Sequence, residues 1–273
     1  MHKLILTMEI IALLFLVPIT NASESVRVVT EVYPPYQTIK DDGTYSGIAV
    51  EVVRAILDKA DVKAKVEILP WARAYKTAQK DPNIIIFSMV KSPERLDKFN
   101  WIGPLYRADQ KTYFVALKER KDIVVNHYDD LKKYRICLDL DGWSYELLLK
   151  MGFKYNKNLF TLRSSQPHLQ QNFNSNSLDE LRMEVLTSHV CDVVLHSGGI
   201  LDEKYHKRLK HVLDHTEASL RLHLAISKQS SPALVAKVSN AYNALLNDGS
   251  LYKSCIASSP VNNIDKICQI FQP

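Results

Sequence analysis

The sequence predicts an α/β protein built as two lobes, each around its own open sheet. Three observations carry that expectation. Strand-type and helix-type patterns alternate along the chain, the run Ile84-Ile85-Ile86-Phe87 is apolar without a break, and the alternation restarts after residue 134. Alternation of this kind is the rhythm of βαβ units, and an unbroken apolar run fits a strand covered on both faces of a parallel sheet. A chain of 273 residues, 46% apolar and 24% charged, can bury one large core or two smaller ones.

The N-terminus reads as an address. Lys3 gives a positive end, residues 10–23 are uncharged with Pro18 breaking the apolar run, and Thr20-Asn21-Ala22 places small residues before a cut after Ala22. This is the grammar of a cleaved secretory signal over residues 1–22. The stretch is short for a membrane span. Export to the periplasm follows, as a soluble chain without a lipid anchor, since the first cysteine is Cys137.

Residues 26–32 read as a strand ended by Tyr33-Pro34-Pro35-Tyr36, where two prolines remove ladder donors. Asp41-Asp42-Gly43 is a turn. Gly47 opens a helix with Ile48, Val52, Val53, Ile56 and Leu57 at helical spacing, and residues 62–69 alternate as a half-buried strand. Trp71–Lys80 is helical and residues 83–88 form the apolar strand. Ser92-Pro93-Glu94-Arg95 gives a capping hydroxyl, a proline at the first helical position and an acid in the first turn. The second round has a strand at 134–138, a helix at 143–151 stopped by Gly152, and a polar surface excursion over 164–177. A helix at 178–187 and a strand at 190–195 follow, ending at His196-Ser197-Gly198-Gly199. A strand at Arg221–Ser227 and a helix at 232–246, closed by Asn247-Asp248-Gly249, complete the pattern.

Charge and cysteines narrow the function classes. The net charge of +5 comes from interleaved residues, which leaves no nucleic-acid footprint. Residues 119–218 hold 14 Lys or Arg against 15 Asp or Glu, so the outer segments carry the positive excess. In an exported chain disulfides are permitted. Cys255 and Cys268 are the favoured pair, in a tail whose composition offers little packing of its own. Cys137 and Cys191, in apolar strand-like runs, fit a bond or two buried thiols equally. His206, His211 and His215 lack a fourth ligand at metal spacing, so no metal is expected.

Several segments resemble one family along nearly the whole mature chain. They are Tyr33-Pro34-Pro35-Tyr36, Gly43, Gly47 with Glu51, Pro70-Trp71-Ala72-Arg73-Ala74, Ser92-Pro93-Glu94-Arg95 and Phe99-Asn100-Trp101-Ile102-Gly103-Pro104. Asp141-Gly142-Trp143-Ser144-Tyr145-Glu146, Cys191-Asp192-Val193-Val194 and Leu245-Leu246-Asn247-Asp248-Gly249-Ser250-Leu251 continue the likeness. The sequence is similar to the extracytoplasmic solute-binding proteins of family 3, the binding components of amino-acid ABC importers. The resemblance implies a type II periplasmic-binding-protein fold with a ligand cleft. Lobe 1 would be discontinuous, over 23–116 and 221–273. Lobe 2, at 117–220, would be inserted through hinges near 113–117 and 220–225.

The same resemblance suggests the site. Arg95 would grip a ligand carboxylate bidentately, the plainer alternative being a surface arginine paired with Glu94 or Asp97. Tyr33, Tyr36 and Trp71 follow strand ends, where open sheets expose their ligand side, and could stack on a solute or simply pack in the core. Ser88 and Ser92 flank the carboxylate position. Gly142, Trp143 and Ser144 start a helix whose free N–H groups face the ligand, and Glu146 reads as helix support. One departure stands out. Read along Asp192-Val193-Val194-Leu195, His196 occupies the place of the family's ammonium-binding aspartate. An imidazole does not neutralise an ammonium as a carboxylate does, and a protonated one would favour a second ligand carboxylate. This departure speaks against an ordinary α-amino acid, and the expectation stays at a small, polar, carboxylate-bearing solute, an amino acid or a related compound.

The expectation is therefore a monomeric periplasmic binding protein, without cofactor, that delivers its solute to an inner-membrane ABC permease. An enzyme of dehydratase type on the same scaffold, and a ligand sensor for a membrane receptor, are the alternatives. No triad, thiol–histidine or phosphate-loop signature favours catalysis.

Overall fold

The computed structural model describes residues 25–40, 42–108, 111–162, 175–197, 207–215, 220–258 and 264–272. The secretory segment 1–22, most of the excursion expected over 164–177, the Gly198-Gly199 turn and His206 lie outside the described residues.

Twelve strands are described: β1 Arg27–Thr30, β2 Thr38–Ile39, β3 Tyr45–Ser46, β4 Lys65–Ile68, β5 Ile84–Val90, β6 Phe99–Arg107, β7 Thr112–Leu117, β8 Ile136–Leu138, β9 Leu159–Thr161, β10 Val193–Ser197, β11 Leu209–Asp214 and β12 Arg221–Ser227. The helices are α1 Ile48–Lys59, α2 Trp71–Lys80, α3 Tyr128–Leu131, α4 Trp143–Lys150, α5 Ser175–Thr187, α6 Pro232–Asn247, α7 Ser250–Ala257 and α8 Ile264–Cys268. Among these residues no helix is long and apolar enough to cross a membrane.

The strands form two five-stranded sheets, ordered β4-β1-β5-β12-β6 and β11-β7-β10-β8-β9. In the first, β1 runs parallel to β4 and β5, while β12 lies antiparallel between β5 and β6. In the second, β8 runs parallel to β9 and β10, and β7 is antiparallel to β10 and β11. The chain leaves the first sheet after β6 and returns to it at β12, which makes the first lobe discontinuous. At the crossings, Ala108 N–H donates to the Leu220 carbonyl (2.9 Å) and His215 N–H to the Thr112 carbonyl (2.8 Å).

The apolar run behaves as its composition requires. Ile85 and Phe87 point into a core with Ile48, Val52, Val53 and Ile56 of α1, while Ile84 and Ile86 meet Trp71, Ala74 and Ala78 of α2 on the other face. Each side chain is buried, and full burial of one such side chain is worth about 1.5–3 kcal/mol. The helix opened by Gly47 depends on that glycine. Its φ is +118°, and a Cβ there would stand 2.6 Å from the Tyr36 carbonyl oxygen, so no other residue lets α1 begin so close to the 33–37 turn.

Three expectations change. Ser92 precedes a 3-10 turn, Pro93–Lys98, as its extended backbone suggests, but its side chain makes no cap hydrogen bond. The C-terminal tail packs well: Leu251, Cys255, Ile267, Cys268 and Phe271 are buried in the first-lobe core. Both cysteine pairs are disulfides, Cys137–Cys191 (Cα–Cα 5.9 Å) and Cys255–Cys268 (5.8 Å), which settles the choice left open at Cys137 and Cys191.

Candidate functional site

The cleft between the lobes encloses a cavity of about 160 Å³. That is below the roughly 300–1,000 Å³ of drug-sized pockets and suits a small solute. The first-lobe wall is built at the C-terminal ends of parallel strands, where such sheets expose their ligand side. Glu31 and Tyr33 follow β1, Ser88 and Val90 end β5, Trp71 begins α2, and Arg95 sits in the 3-10 turn. The second-lobe wall is Leu138 and Asp139 after β8, Gly142 to Tyr145 at the start of α4, Arg182 of α5 and Leu195 of β10.

Arg95 is 1% exposed. Its Nε donates to Glu146 Oε2 (2.8 Å) and its Nη2 to the Asp141 carbonyl (3.0 Å), both from the second lobe. The guanidinium carbon lies 4.7 Å from the Tyr75 ring centre and 5.8 Å from that of Trp71, within cation–π range. Burial pushes the Tyr75 hydroxyl up to about 12, so Tyr75 presents a neutral ring to the cation. Trp71 Nε1 also donates to the Asp141 carbonyl (2.8 Å). Asp141 takes φ +57°, a left-handed value, and its carbonyl serves both donors. Lys150 and Glu94 form a further ion pair between the lobes. Glu146 is therefore more than helix support. It and Lys150, four residues apart on α4 and able to pair with each other, both reach across to consecutive first-lobe residues.

Tyr33, Trp71, Ser88, Arg95, Gly142, Trp143 and Ser144 all line the cavity. Gln37 Nε2 donates to Ser88 Oγ, and Ser88 itself has φ +63°. Tyr36, Ser92 and His196 do not line it. Tyr36 is fully buried between Tyr33 and Tyr106, its ring centre 4.1 Å from that of Tyr106. Ser92 is 3% exposed. His196 is 2% exposed, with its ring edge-on to Tyr113 at 5.2 Å. Side chains alternate along a strand, and with Leu195 turned to the cleft, His196 faces the other side of β10.

Behind the second-lobe wall, the Trp143 ring lies 5.4 Å from His215. Tyr128 Oη donates to the His215 carbonyl (2.8 Å) and lies 2.9 Å from its Nδ1. Burial lowers the His215 pKa to about 4. Asp192 works as a structural acid. It accepts from the Arg135 backbone N–H (2.9 Å), Arg135 Nε and Nη2 (both 3.1 Å) and Arg120 Nη1 (2.9 Å). Burial acts to raise its pKa, but these donors together outweigh burial and hold it at about 2.

Glu31, Asp139 and Arg182 are cavity-lining charges the sequence reading passes over. Their signal was local: Glu31 breaks an apolar strand just before the Tyr33 turn, and Arg182 stands between the buried Leu181 and Met183.

Residues 26–255 match the family described as bacterial extracellular solute-binding proteins, family 3. No curated protein matches the chain. Solved structures share its fold at low identity. A histidine kinase sensor domain with similarity to periplasmic binding proteins superposes with TM-score 0.65 at 18% identity, over 87% of this chain and 97% of that one. The arginine-, lysine-, histidine-binding protein ArtJ from Geobacillus stearothermophilus gives 0.64 at 17%, over 91% and 100%. The ancestral amino acid-binding protein AncCDT-1, a precursor of cyclohexadienyl dehydratase, gives 0.57 at 19%, over 85% and 94%.

Proposed function

The chain belongs to the bacterial extracellular solute-binding proteins, family 3, and from that we propose that it captures a small, polar, carboxylate-bearing solute by closure of the two lobes. The chain is exported to the periplasm, its signal removed near Ala22, and it hands the solute to an ABC permease as a monomer. Arg95 carries the reading. Its guanidinium is 1% exposed at the ligand end of a sheet, the edge that now holds Glu146 is the one whose planar fork matches a carboxylate, and it opens on the cavity. Trp143 and Ser144, in the first turn of α4, line the same cavity from the other lobe, and a helix start favours negative charge.

Thermal melts of the mature chain, alone and with a panel of amino acids and organic acids, test this. A true ligand at a hundredfold excess over its Kd adds about 2.7 kcal/mol of stability, and Arg95→Ala is expected to abolish that gain. An alanine variant that responds as the parent does removes the carboxylate role. Mass spectrometry of the incubated solute separates capture from turnover, capture leaving it unchanged. Because the fold also serves a histidine kinase sensor domain, sensing is the second reading. Capture of a receptor ectodomain in place of a permease, by the solute-loaded chain, would favour it.

A further inference from the structure

The site holds a carboxylate of the protein's own. We infer that Glu146 is a built-in competitor for the solute: the Arg95–Glu146 pair latches the lobes together without ligand, and a carboxylate solute binds by exchange for it. This rests on the proposed role of Arg95.

Four observations carry it. Nε and Nη2 of Arg95 lie along one edge of the guanidinium, the edge that takes a carboxylate in parallel, and Glu146 and the Asp141 carbonyl occupy those two donors. The Arg95 side chain is 1% exposed against 19% for Glu146, so of the two partners Glu146 is the one with a route to solvent. Its alternative partner is already in place, since Lys150 lies four residues on along α4, the spacing at which Glu and Lys pair on a helix. Lys150 is itself paired across the cleft with Glu94. The lobes are thus joined by two adjacent ion pairs and by the Trp71–Asp141 hydrogen bond. When a solute takes the Arg95 edge, Glu146 swings out to Lys150. A solute without a carboxylate gains nothing from this exchange, so Glu146 sets specificity as well as closure.

Small-angle scattering of the solute-free mature chain tests the latch without knowledge of the ligand. The parent is expected to be compact, with a radius of gyration near ~18 Å for a chain of this length. Glu146→Gln, which keeps shape and loses charge, is expected to have a larger radius, and Glu146→Asp, one methylene short of Arg95, likewise. Circular dichroism confirms that each variant is folded. Equal radii for the parent and both folded variants overturn the latch. Calorimetric titration with succinate, L-glutamate, L-glutamine and L-arginine tests the exchange. Any of these that binds the parent is expected to bind Glu146→Gln about tenfold tighter, a gain of about 1.4 kcal/mol. Equal or weaker binding overturns the exchange. A parent that binds no solute tells against the proposed function instead, and the scattering result still decides the latch.

Discussion

Arg95 and His215 are both buried ionisable side chains, and they meet the cost of burial in opposite ways. A guanidinium does not lose its proton in a protein, so Arg95 is surrounded with acceptors and aromatic faces. His215 has the other option. It is 6% exposed, its Nδ1 is served by Tyr128, and burial holds it neutral down to about pH 4. The unfolded chain takes up that proton near pH 6.5. Between about pH 6.5 and pH 4 the unfolded state therefore binds more protons than the folded one, and stability falls as pH falls. The contribution is fully present above pH 6.5 and is worth roughly 3 kcal/mol. Denaturant titrations from pH 7.5 to pH 4.5 are expected to show this slope. His215→Phe, which keeps a ring against Phe114 and Trp143 and cannot titrate, is expected to flatten it. An unchanged slope in the variant would place the titrating group elsewhere.

At the level of elements, strong local periodicity and tertiary pairing divide the labour. The helix at Trp71–Lys80, the strand at Arg221–Ser227 and the apolar strand around Ile85 were legible because their patterns decide their faces without outside help. β11 was not, since Leu209 to Asp214 carries Lys210 and His211 and reads as polar surface. It becomes a strand by pairing with β7, an edge no local pattern announces. The tail helices escaped for the same reason, their faces being set only when α7 meets α1 and α6 and α8 meets α7 and β6. The site divides similarly. The place of Arg95 at the cavity was legible from its Ser-Pro-Glu-Arg setting, whereas the contact of Glu146 depends on a partner 51 residues away in another lobe, and a helix-surface glutamate looks alike in either case. His196, expected in the cleft, stands one step of strand alternation from the cavity-lining Leu195, and one step moves a side chain to the opposite face. The two disulfides brace elements of different span, with sequence separations of 54 and 13. Loop-closure entropy gives about 4 kcal/mol for the longer and about 3 kcal/mol for the shorter. Replacing Cys137 and Cys191 together by alanine is expected to lower the melting temperature more than replacing Cys255 and Cys268. The reverse order would mean that the tail bond does more than restrain the unfolded chain.

The whole molecule is two cores joined by two crossings, and the crossings are tied to each other by the Ala108–Leu220 and Thr112–His215 backbone bonds. Two such crossings, with each sheet complete on its own side, are the arrangement that the proposed closure of the lobes requires. It also lets them lose structure separately. The first lobe holds the larger core, with α1, α6, α7 and α8 against one face and α2 against the other. The second lobe has two smaller clusters and holds both His215 and Asp192. His215 loses its contribution between about pH 6.5 and pH 4. Asp192, held at about 2 in the folded chain and near 3.9 when unfolded, contributes above pH 4 and loses it as pH falls towards 2. His223 of β12, in the first lobe, is lowered in the same direction by burial, but it is only partly buried where His215 is buried, so acid removes more stability from the second lobe. Sub-global opening of this kind is read by amide hydrogen exchange, corrected for the intrinsic effect of pH. As pH is lowered from 7 to 4, β8 and β10 are expected to lose protection while β1 and β5 keep theirs, and replacing Cys137 and Cys191 by alanine is expected to move that loss to higher pH. Simultaneous loss in both sheets would show that the interlobe ion pairs at Arg95 and Lys150 make the closed molecule one cooperative unit.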